Sequence, residues 1–437
     1  MQPAKYVKWL YSELPELMKM GVLTPEAAAM LQSHYGNPEQ KGGRSVGLII
    51  GSILGAVLIG LGIILLLANN WPDLSRLVRT YIIFSLLFSA QGLAGWAFWY
   101  KPQSLAWREG TATFLVFAVG AAIALIGQTY HLPGDLGSFL LIWMLLILPL
   151  AYLMNASLPL ALYLAGILWW LGYSIEQEQH LLYFWVLTAV SLPYLFLLYQ
   201  ENTQSVRLLF LKWLLAVWVI FVLLLHSVAF AMKGPWMLTF GSLFTLMYLA
   251  ETLWYRENLV IWRRPFTIVG ALGISILTFV FTFREVWPHR GFWELALDEV
   301  LRQDLAIPFY LLSWGLPLAS LVLLVIYLNR RDYQTILLGI FPVVILVGLI
   351  ASRETFIPLI LSNLYFFILA ASLIIAGLRQ YRLSIINLGM LMMGILILAR
   401  FFDSNIAFVV RAIIFIALGI GFLSVNLWFH RDRGSAA

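Results

Sequence analysis

The sequence predicts an all-α integral membrane protein, a polytopic transmembrane helix bundle of about 14 spans that follows a small N-terminal cytoplasmic helical hairpin. Of its 437 residues, 62% are hydrophobic and 11% are charged, whereas a soluble domain has about 25% charged residues. The apolar residues form repeated runs of roughly 18–24 residues, each long enough to cross a bilayer as a helix. Because backbone groups in lipid must be paired internally, we expect these runs to be helical.

The first element is a polar segment, residues 1–45, which we predict to be a helical hairpin and a linker. Apolar residues recur at helical spacing in the first helix, and Gly21 ends it. Thr24 is the expected N-cap of the second helix, with Pro25 at its first position, and Gly36 ends that helix. About 30 residues are too few for a large core. We therefore expect the hairpin to pack on the membrane domain, on a partner protein or on another copy.

Residues 46–430 form the predicted transmembrane domain, and residues 431–437 form a short cytoplasmic tail. The least certain division separates 137–154 from 157–174, because only Asn155 and Ala156 lie between them. That pair is either a tight hairpin or part of one re-entrant unit. The predicted spans are 46–68, 80–100, 111–130, 137–154, 157–174, 181–199, 208–231, 235–253, 265–283, 308–328, 334–351, 357–377, 384–401 and 406–429.

The orientation follows from the distribution of Lys and Arg, which concentrate in the segments on one side of this topology. That bias places both termini in the cytoplasm. We expect the membrane to be the cytoplasmic (inner) membrane of a bacterium. No cleavable signal peptide is predicted, since the first 45 residues lack an early apolar core. Basic cytoplasmic loops account for the net charge of +6. We therefore predict membrane lipids, and no nucleic acid, as partners.

One outer connection, residues 284–307, is long and carries apolar residues on one helical side and charged residues on another. This pattern predicts an amphipathic helix that lies on the outer membrane surface. A lid over an outer cavity is the alternative.

The first candidate binding residues close the stretch GAAIALIGQTYHLPGD, where Gln128, Tyr130, His131 and Asp135 surround a turn. His131 is a candidate proton acceptor near neutral pH, and Asp135 is a candidate to fix its tautomer or to bind a cation. The alternative is that these groups cap helix ends. No second His or carboxylate stands at metal-ligand spacing, and the chain has no Cys, so neither a metal nor another cofactor is predicted.

A second group of candidates consists of charged residues at the predicted outer helix ends, namely Arg353, Arg400 and Asp403, together with Arg411 inside the last span. An arginine at that depth is costly unless it has a partner, and Asp403 is the nearest carboxylate in sequence. Arginine binds phosphate with two parallel hydrogen bonds. The group therefore predicts a site for an anionic head group, with purely structural ion pairing as the alternative.

Other polar residues lie within spans. Glu251, near the inner end of its span, is predicted to reach the interface or to pair with Arg256. Isolated polar side chains within spans are typical of contacts between helices; they are Gln91, His226, Asn363 and Asn387.

Three segments together resemble the DUF2157 family of predicted multi-pass membrane proteins. They are the hairpin LPELMKMGVLTPEAAAMLQSHYG, the first span with its exit GAVLIGLGIILLLANNWPDL, and the stretch GAAIALIGQTYHLPGD followed by WMLLILPLAYL. The resemblance covers about residues 5–155. It implies a membrane location and a multi-pass fold, and it implies no catalytic residues.

The leading functional hypothesis is a carrier, or a component of one, for an anionic or lipid-linked molecule at the outer leaflet. One alternative is an integral membrane enzyme that acts on lipid-linked glycans. The other is a non-catalytic scaffold or sensor that binds a protein partner through residues 1–45. The sequence contains no GxSxG, P-loop or HExxH motif, and it leaves open whether the protein is an enzyme.

Overall fold

The computed structural model describes residues 4–35, 71–177, 182–229, 236–254, 261–287, 307–330, 332–351 and 356–403, with 416, 419–421 and 423–424 beyond them. All regular structure in these ranges is helical, which confirms the all-α prediction. The chain divides into two compact units, Met1–Ser85 and Leu86–Ala437.

The first unit begins with two helices, α1 (Ala4–Lys19) and α2 (Pro25–Tyr35). They contact each other and bury Leu14 and Ala28. The Tyr11 hydroxyl donates a hydrogen bond to the Gln32 carbonyl at 3.2 Å and ties the helices together. The result is a hairpin with a very small core, in keeping with its length.

The remaining helices are apolar. They are α3 (Arg76–Tyr100), α4 (Leu105–Tyr130), α5 (Leu136–Leu153), α6 (Ser157–Glu176), α7 (Leu182–Glu201), α8 (Val206–Ala229), α9 (Trp236–Trp254), α10 (Pro265–Val280), α11 (Ile307–Arg330), α12 (Tyr333–Gly339), α13 (Phe341–Ile350), α14 (Phe356–Arg379) and α15 (Leu383–Asp403). Short 3-10 helices lie at Trp71–Asp73, Ile261–Arg263 and Arg284–Val286.

Within the described ranges, nine helices are long and apolar enough to cross a membrane. The spans predicted between 80 and 401 each coincide with a helix, except that 334–351 is divided at Ile340 into α12 and α13. The first predicted span, 46–68, and nearly all of the last, 406–429, lie outside the described residues. A multi-pass membrane fold is therefore supported, and the count of about 14 stays a prediction.

The connection between α5 and α6 is a tight hairpin. Asn155 has a φ of 43°, in the left-handed region that asparagine tolerates better than most residues. The two helices it joins have 18 and 20 residues, so each is long enough to span the membrane alone. The two ranges are thus separate helices that contact each other along the bundle.

The two largest hydrophobic cores among the described residues lie in the second unit, and α8 contributes to both. The first core is formed by the five consecutive helices from α4 through α8. It includes Val116, Leu140, Met144, Leu164, Ile167, Phe184 and Trp218. The second core joins α8 to α9, α10 and the helices after α12, and includes Leu223, Phe244, Ile274, Phe281, Phe341, Tyr365 and Leu396. Val219 on α8 packs against both cores, so this helix lies where they meet.

Polar groups of buried and partly buried aromatic side chains donate hydrogen bonds to backbone carbonyls of other helices. The indole N–H of Trp143 on α5 donates to the Val116 carbonyl of α4 at 2.9 Å. The indole N–H of Trp218 on α8 donates to the Leu164 carbonyl of α6 at 2.8 Å. Such bonds satisfy groups that lipid cannot, and they fix which helices are neighbours.

The outer surface of these helices is apolar. Leu318, Phe196 and Leu145 are among the many large hydrophobic side chains that are exposed along them. Lipid chains are as apolar as these side chains, so a bilayer is the solvent that suits this surface.

Candidate functional site

The loop between α4 and α5 brings the first four candidate binding residues to one exposed end of the bundle. His131 caps α4 with a φ of 52° and donates its backbone N–H to the Gly127 carbonyl. Asp135 is the N-cap of α5, where its Oδ1 accepts the backbone N–H of Ser138 at 3.2 Å. The side chains of Gln128, Tyr130, His131 and Asp135 are all exposed.

The Asp135 carboxylate also joins two helices. The Tyr173 hydroxyl on α6 donates to Oδ2 at 2.9 Å, and the Ser138 hydroxyl donates to Oδ1. The hydrogen bonds from the Ser138 hydroxyl, the Tyr173 hydroxyl and the Ser138 amide hold the pKa of Asp135 at about 2, below its usual 3.8. Gly137 makes this contact possible, because a Cβ there would lie 2.6 Å from the Tyr173 ring.

The geometry gives Asp135 the helix-capping role that the sequence offered as the alternative. Its oxygens accept from Ser138 and Tyr173, and among the described contacts no hydrogen bond or ion pair joins it to His131. Whether Gln128, Tyr130, His131 and Asp135 bind a substrate stays a prediction.

Arg400 is the member of the second candidate group that the structure describes in full. Its Nη2 donates to the Thr282 hydroxyl, which follows α10, at 3.3 Å. Its guanidinium carbon lies 5.1 Å from the centre of the Phe283 ring, a cation–π contact. The side chain is partly buried, so α10 and α15 together hold a cation at one end of the second core.

The other members of that group cannot be placed around it. Arg353 and Arg411 lie outside the described residues, and so does the side chain of Asp403 at the end of α15. The predicted amphipathic helix also falls mainly outside them. At its start, Arg284 and Glu285 are exposed, whereas Trp287 is buried in the second core.

A polar network that the sequence did not predict lies at the other end of the first core, centred on Glu109 of α4. Its carboxylate accepts the backbone N–H groups of Ser157 and Leu158 at 2.7 and 2.8 Å, and the Ser157 hydroxyl at 2.6 Å. These amides open α6 and have no partner within their own helix. A negative charge there is also favoured by the helix dipole.

Arg207, at the start of α8, completes this network. Its Nη2 donates to the backbone carbonyl and side-chain oxygen of Asn155, at 2.6 and 2.9 Å, and to the Tyr194 hydroxyl at 2.6 Å. Its Nε lies 3.4 Å from Glu109 Oε1, and both side chains are 12% exposed. One cation thus links α4, α7, α8 and the turn between α5 and α6.

A similar arrangement lies in the second core around Glu251 of α9. Oε2 accepts the backbone N–H of Thr267 at 2.8 Å and its hydroxyl at 3.1 Å, in the first turn of α10. Lys212 of α8 places its Nζ 3.7 Å from Oε1. Glu251 therefore pairs with Lys212, while the predicted partner Arg256 lies outside the described residues.

The contacts around Glu109 and those around Glu251 follow the same pattern. In each, a carboxylate caps the N-terminus of a neighbouring helix and faces a cation from the first two turns of α8. The contacts join helix ends that the predicted topology assigns to the same side, and the same is true of Asp135 with Tyr173 and of Arg400 with Thr282. Which side faces the cytoplasm stays a prediction.

Comparison with known proteins agrees with the membrane assignment. No curated protein and no solved structure matches the chain. Residues 15–160, which run from α1 into α6, match the sequence model of DUF2157, a family described as a predicted membrane protein. The resemblance of this chain to the DUF2157 family is thereby confirmed for residues 15–160.

Proposed function

We propose that the protein is a membrane carrier, or a component of one, which binds an anionic or lipid-linked molecule at the outer leaflet. The observation that carries this proposal is the position of Arg400. Its guanidinium lies at the ends of α10 and α15, held by the Thr282 hydroxyl and the Phe283 ring.

The chemistry of arginine favours an anionic head group as the ligand. Holding the guanidinium on a ring face and a hydroxyl restricts its rotamers, so less side-chain entropy is lost when a ligand binds. Its planar array of donors matches the oxygens of a phosphate. The exposed apolar surface beside this helix end suits the lipid portion of such a molecule.

The arrangement of the two cores supports a carrier. Many carriers move one helix bundle against another. Here the cores meet along α8, and the ion pairs of Arg207 and Lys212 attach one end of that helix to each core. The predicted topology assigns these two ion pairs to the side of the membrane opposite to Arg400.

The two alternatives, an enzyme and a scaffold or sensor, require different features of the molecule. An enzyme would need a proton-transfer group. Asp135 is engaged in capping α5, so the exposed His131 is the candidate that stays for this role. A scaffold or sensor acting through the hairpin would need an exposed apolar surface, which the hairpin has at Trp9 and Met30. The carrier is favoured because its binding group is built into the membrane domain.

The test is native mass spectrometry of the full-length protein released from nanodiscs, with identification of the lipids that co-purify. We expect a stoichiometric anionic or lipid-linked molecule in the parent, its loss in Arg400→Ala, and partial retention in Arg400→Lys. Arg379→Ala is the matched control, because it removes an exposed arginine at the C-terminal end of α14, which the predicted topology places on the side of the membrane opposite to Arg400.

Two outcomes would count against the proposal. Retention of the lipid by a folded Arg400→Ala protein would remove Arg400 from the site. If the lipid is bound but a fluorescent analogue does not cross proteoliposomes faster than in protein-free vesicles, the protein is a binder and not a carrier. A chemically altered lipid would instead favour the enzyme.

A further inference from the structure

The turn between α1 and α2 has a backbone fixed by hydrogen bonds. Gly21 has a φ of 71° and donates its N–H to the Met18 carbonyl at 3.1 Å, while the Val22 N–H donates to the Leu17 carbonyl at 3.0 Å. This pair of bonds is the Schellman motif, which requires a left-handed residue after the helix. The turn is therefore an ordered structure that can present side chains in a defined direction.

The side chains that it presents are apolar and exposed. Met20 and Val22 are 66% and 68% exposed, and Met18 is 36% exposed. In a Schellman motif the residue in the position of Val22 often packs back on the preceding helix, yet here it projects outward. The hairpin thus places three large apolar side chains at its tip, away from the small core at Leu14 and Ala28.

The charges around this tip are also distinctive. Lys19 is exposed between the two methionines. No carboxylate occurs between Glu16 and Glu26, so the tip itself carries only positive charge. Apolar side chains beside a lysine suit the boundary between acyl chains and anionic head groups.

The length of the chain keeps this tip close to a bilayer. Residues 36–45 separate α2 from the predicted span 46–68, and fully extended they reach about 35 Å. The turn lies at the far end of α2, whose 11 residues give a helix about 16 Å long. The linker is long enough to let the hairpin turn back to the surface, and the tether raises the effective concentration of the tip there.

We infer that residues 18–24 insert into the surface of the adjoining bilayer leaflet, with Met18, Met20 and Val22 among the acyl chains and Lys19 at the head groups. This interaction surface is independent of the Arg400 site and of the carrier proposal. It gives the hairpin a lipid partner where the sequence suggested a protein, the membrane domain or another copy.

The test uses the full-length protein in nanodiscs of phosphatidylcholine and phosphatidylglycerol. Because the chain has no cysteine, Met20→Cys creates a single site for an environment-sensitive fluorophore. Ser33→Cys is the matched control, because Ser33 is exposed on α2 about two turns from the tip. We expect a blue-shifted emission and strong quenching by brominated lipid at position 20. Position 33 should be quenched by aqueous iodide.

Two results would overturn the inference. Equal iodide quenching at both positions would leave the tip in water. Protection from iodide at position 20, without quenching by brominated lipid, would mean that protein covers the tip. Val22→Cys repeats the measurement on the other side of Gly21, so that a local effect of one substitution does not decide the outcome.

Discussion

Glu109 and Arg207 meet at 3.4 Å although three helices separate them along the chain. Glu109 holds the first amides of α6, and Arg207 holds the Asn155 turn that precedes it. The two side chains therefore fix both sides of the α5–α6 connection. This relationship explains why two apolar helices with a very short connection pack as a defined hairpin.

Glu109→Ala should destabilise the protein by about 2–4 kcal/mol, because it leaves two helix amides and one partly buried arginine without their acceptor. The measurement is the thermal unfolding midpoint followed by tryptophan fluorescence in nanodiscs. Glu201→Ala, which removes an exposed carboxylate at the end of α7, should leave the midpoint nearly unchanged. Equal midpoints for the two variants would contradict the capping role.

Arg207→Lys should also destabilise the fold, by about 1–2 kcal/mol, because a lysine is a single point donor and cannot keep the fork of contacts. A double-mutant cycle with Tyr194→Phe tests how much of this loss comes from the hydrogen bond between Arg207 and Tyr194. We expect Tyr194→Phe to destabilise the protein more with Arg at position 207 than with Lys, which gives a non-zero coupling energy for the cycle. Equal effects of Tyr194→Phe in the two backgrounds would show that the Arg207–Tyr194 bond contributes nothing measurable.

The helices were predictable because a membrane span requires a long apolar run, and such runs are visible in sequence. The ends of two such runs also predicted a break at Asn155 and Ala156, although they left open whether it was a tight hairpin or part of one re-entrant unit. The Glu109 network was not predictable, since Glu109 reads as a charge beside Arg108 at a membrane boundary. Its partners come from three later segments, and span order does not tell which helices are neighbours. Ser157, which directly follows the two-residue turn, indicated where α6 begins. It was the one signal in the sequence for the helix end whose amides need a capping group.

The predicted outer-face residues show the same limit. Asp135 could be recognised as a candidate N-cap, because a turn precedes it and an apolar helix follows. Its bond to Tyr173 depends on the contact of α5 with α6, which Gly137 permits. Likewise, the partners of Arg400 are Thr282 and Phe283, which lie just after α10, and the nearest residues in sequence did not identify them.

Gly270→Ala should disrupt the contact between α9 and α10. A Cβ at Gly270 would lie 2.5 Å from the backbone carbonyl oxygen of Phe244, and a backbone atom within a helix cannot move aside cheaply. We expect a loss of about 1–3 kcal/mol. Gly315→Ala is the control, because nothing lies within 4 Å of its added Cβ. There the higher helix propensity of alanine should leave stability unchanged or raise it by up to about 1 kcal/mol.

The measurement is the thermal unfolding midpoint of each alanine variant. Subtracting one midpoint from the other removes the effect of the higher helix propensity of alanine, which the two substitutions share. A midpoint for Gly270→Ala at or above that of Gly315→Ala would mean that α9 and α10 are not in close contact at this place.

Asp135→Asn should reveal the low pKa of Asp135 through the pH dependence of stability. The folded-state pKa of about 2 lies below the usual 3.8. The charged carboxylate therefore contributes stability that is fully present above the unfolded value and is lost as the pH falls through the folded one. Asparagine can still accept the Ser138 amide as an N-cap, so it removes the charge and keeps the cap.

The midpoint of the parent should exceed that of Asp135→Asn by a constant amount above about pH 5, and this excess should shrink as the pH falls toward 2. Tyr173→Phe removes one of the hydroxyls that lower the folded-state pKa, so its excess over the corresponding double variant should be smaller and should vanish at a higher pH. An excess that has already vanished at pH 5 would mean that Asp135 has an ordinary or raised pKa. The Ser138 and Tyr173 hydroxyls would then not favour its charged form, and the link between α5 and α6 at this end would rest on packing alone.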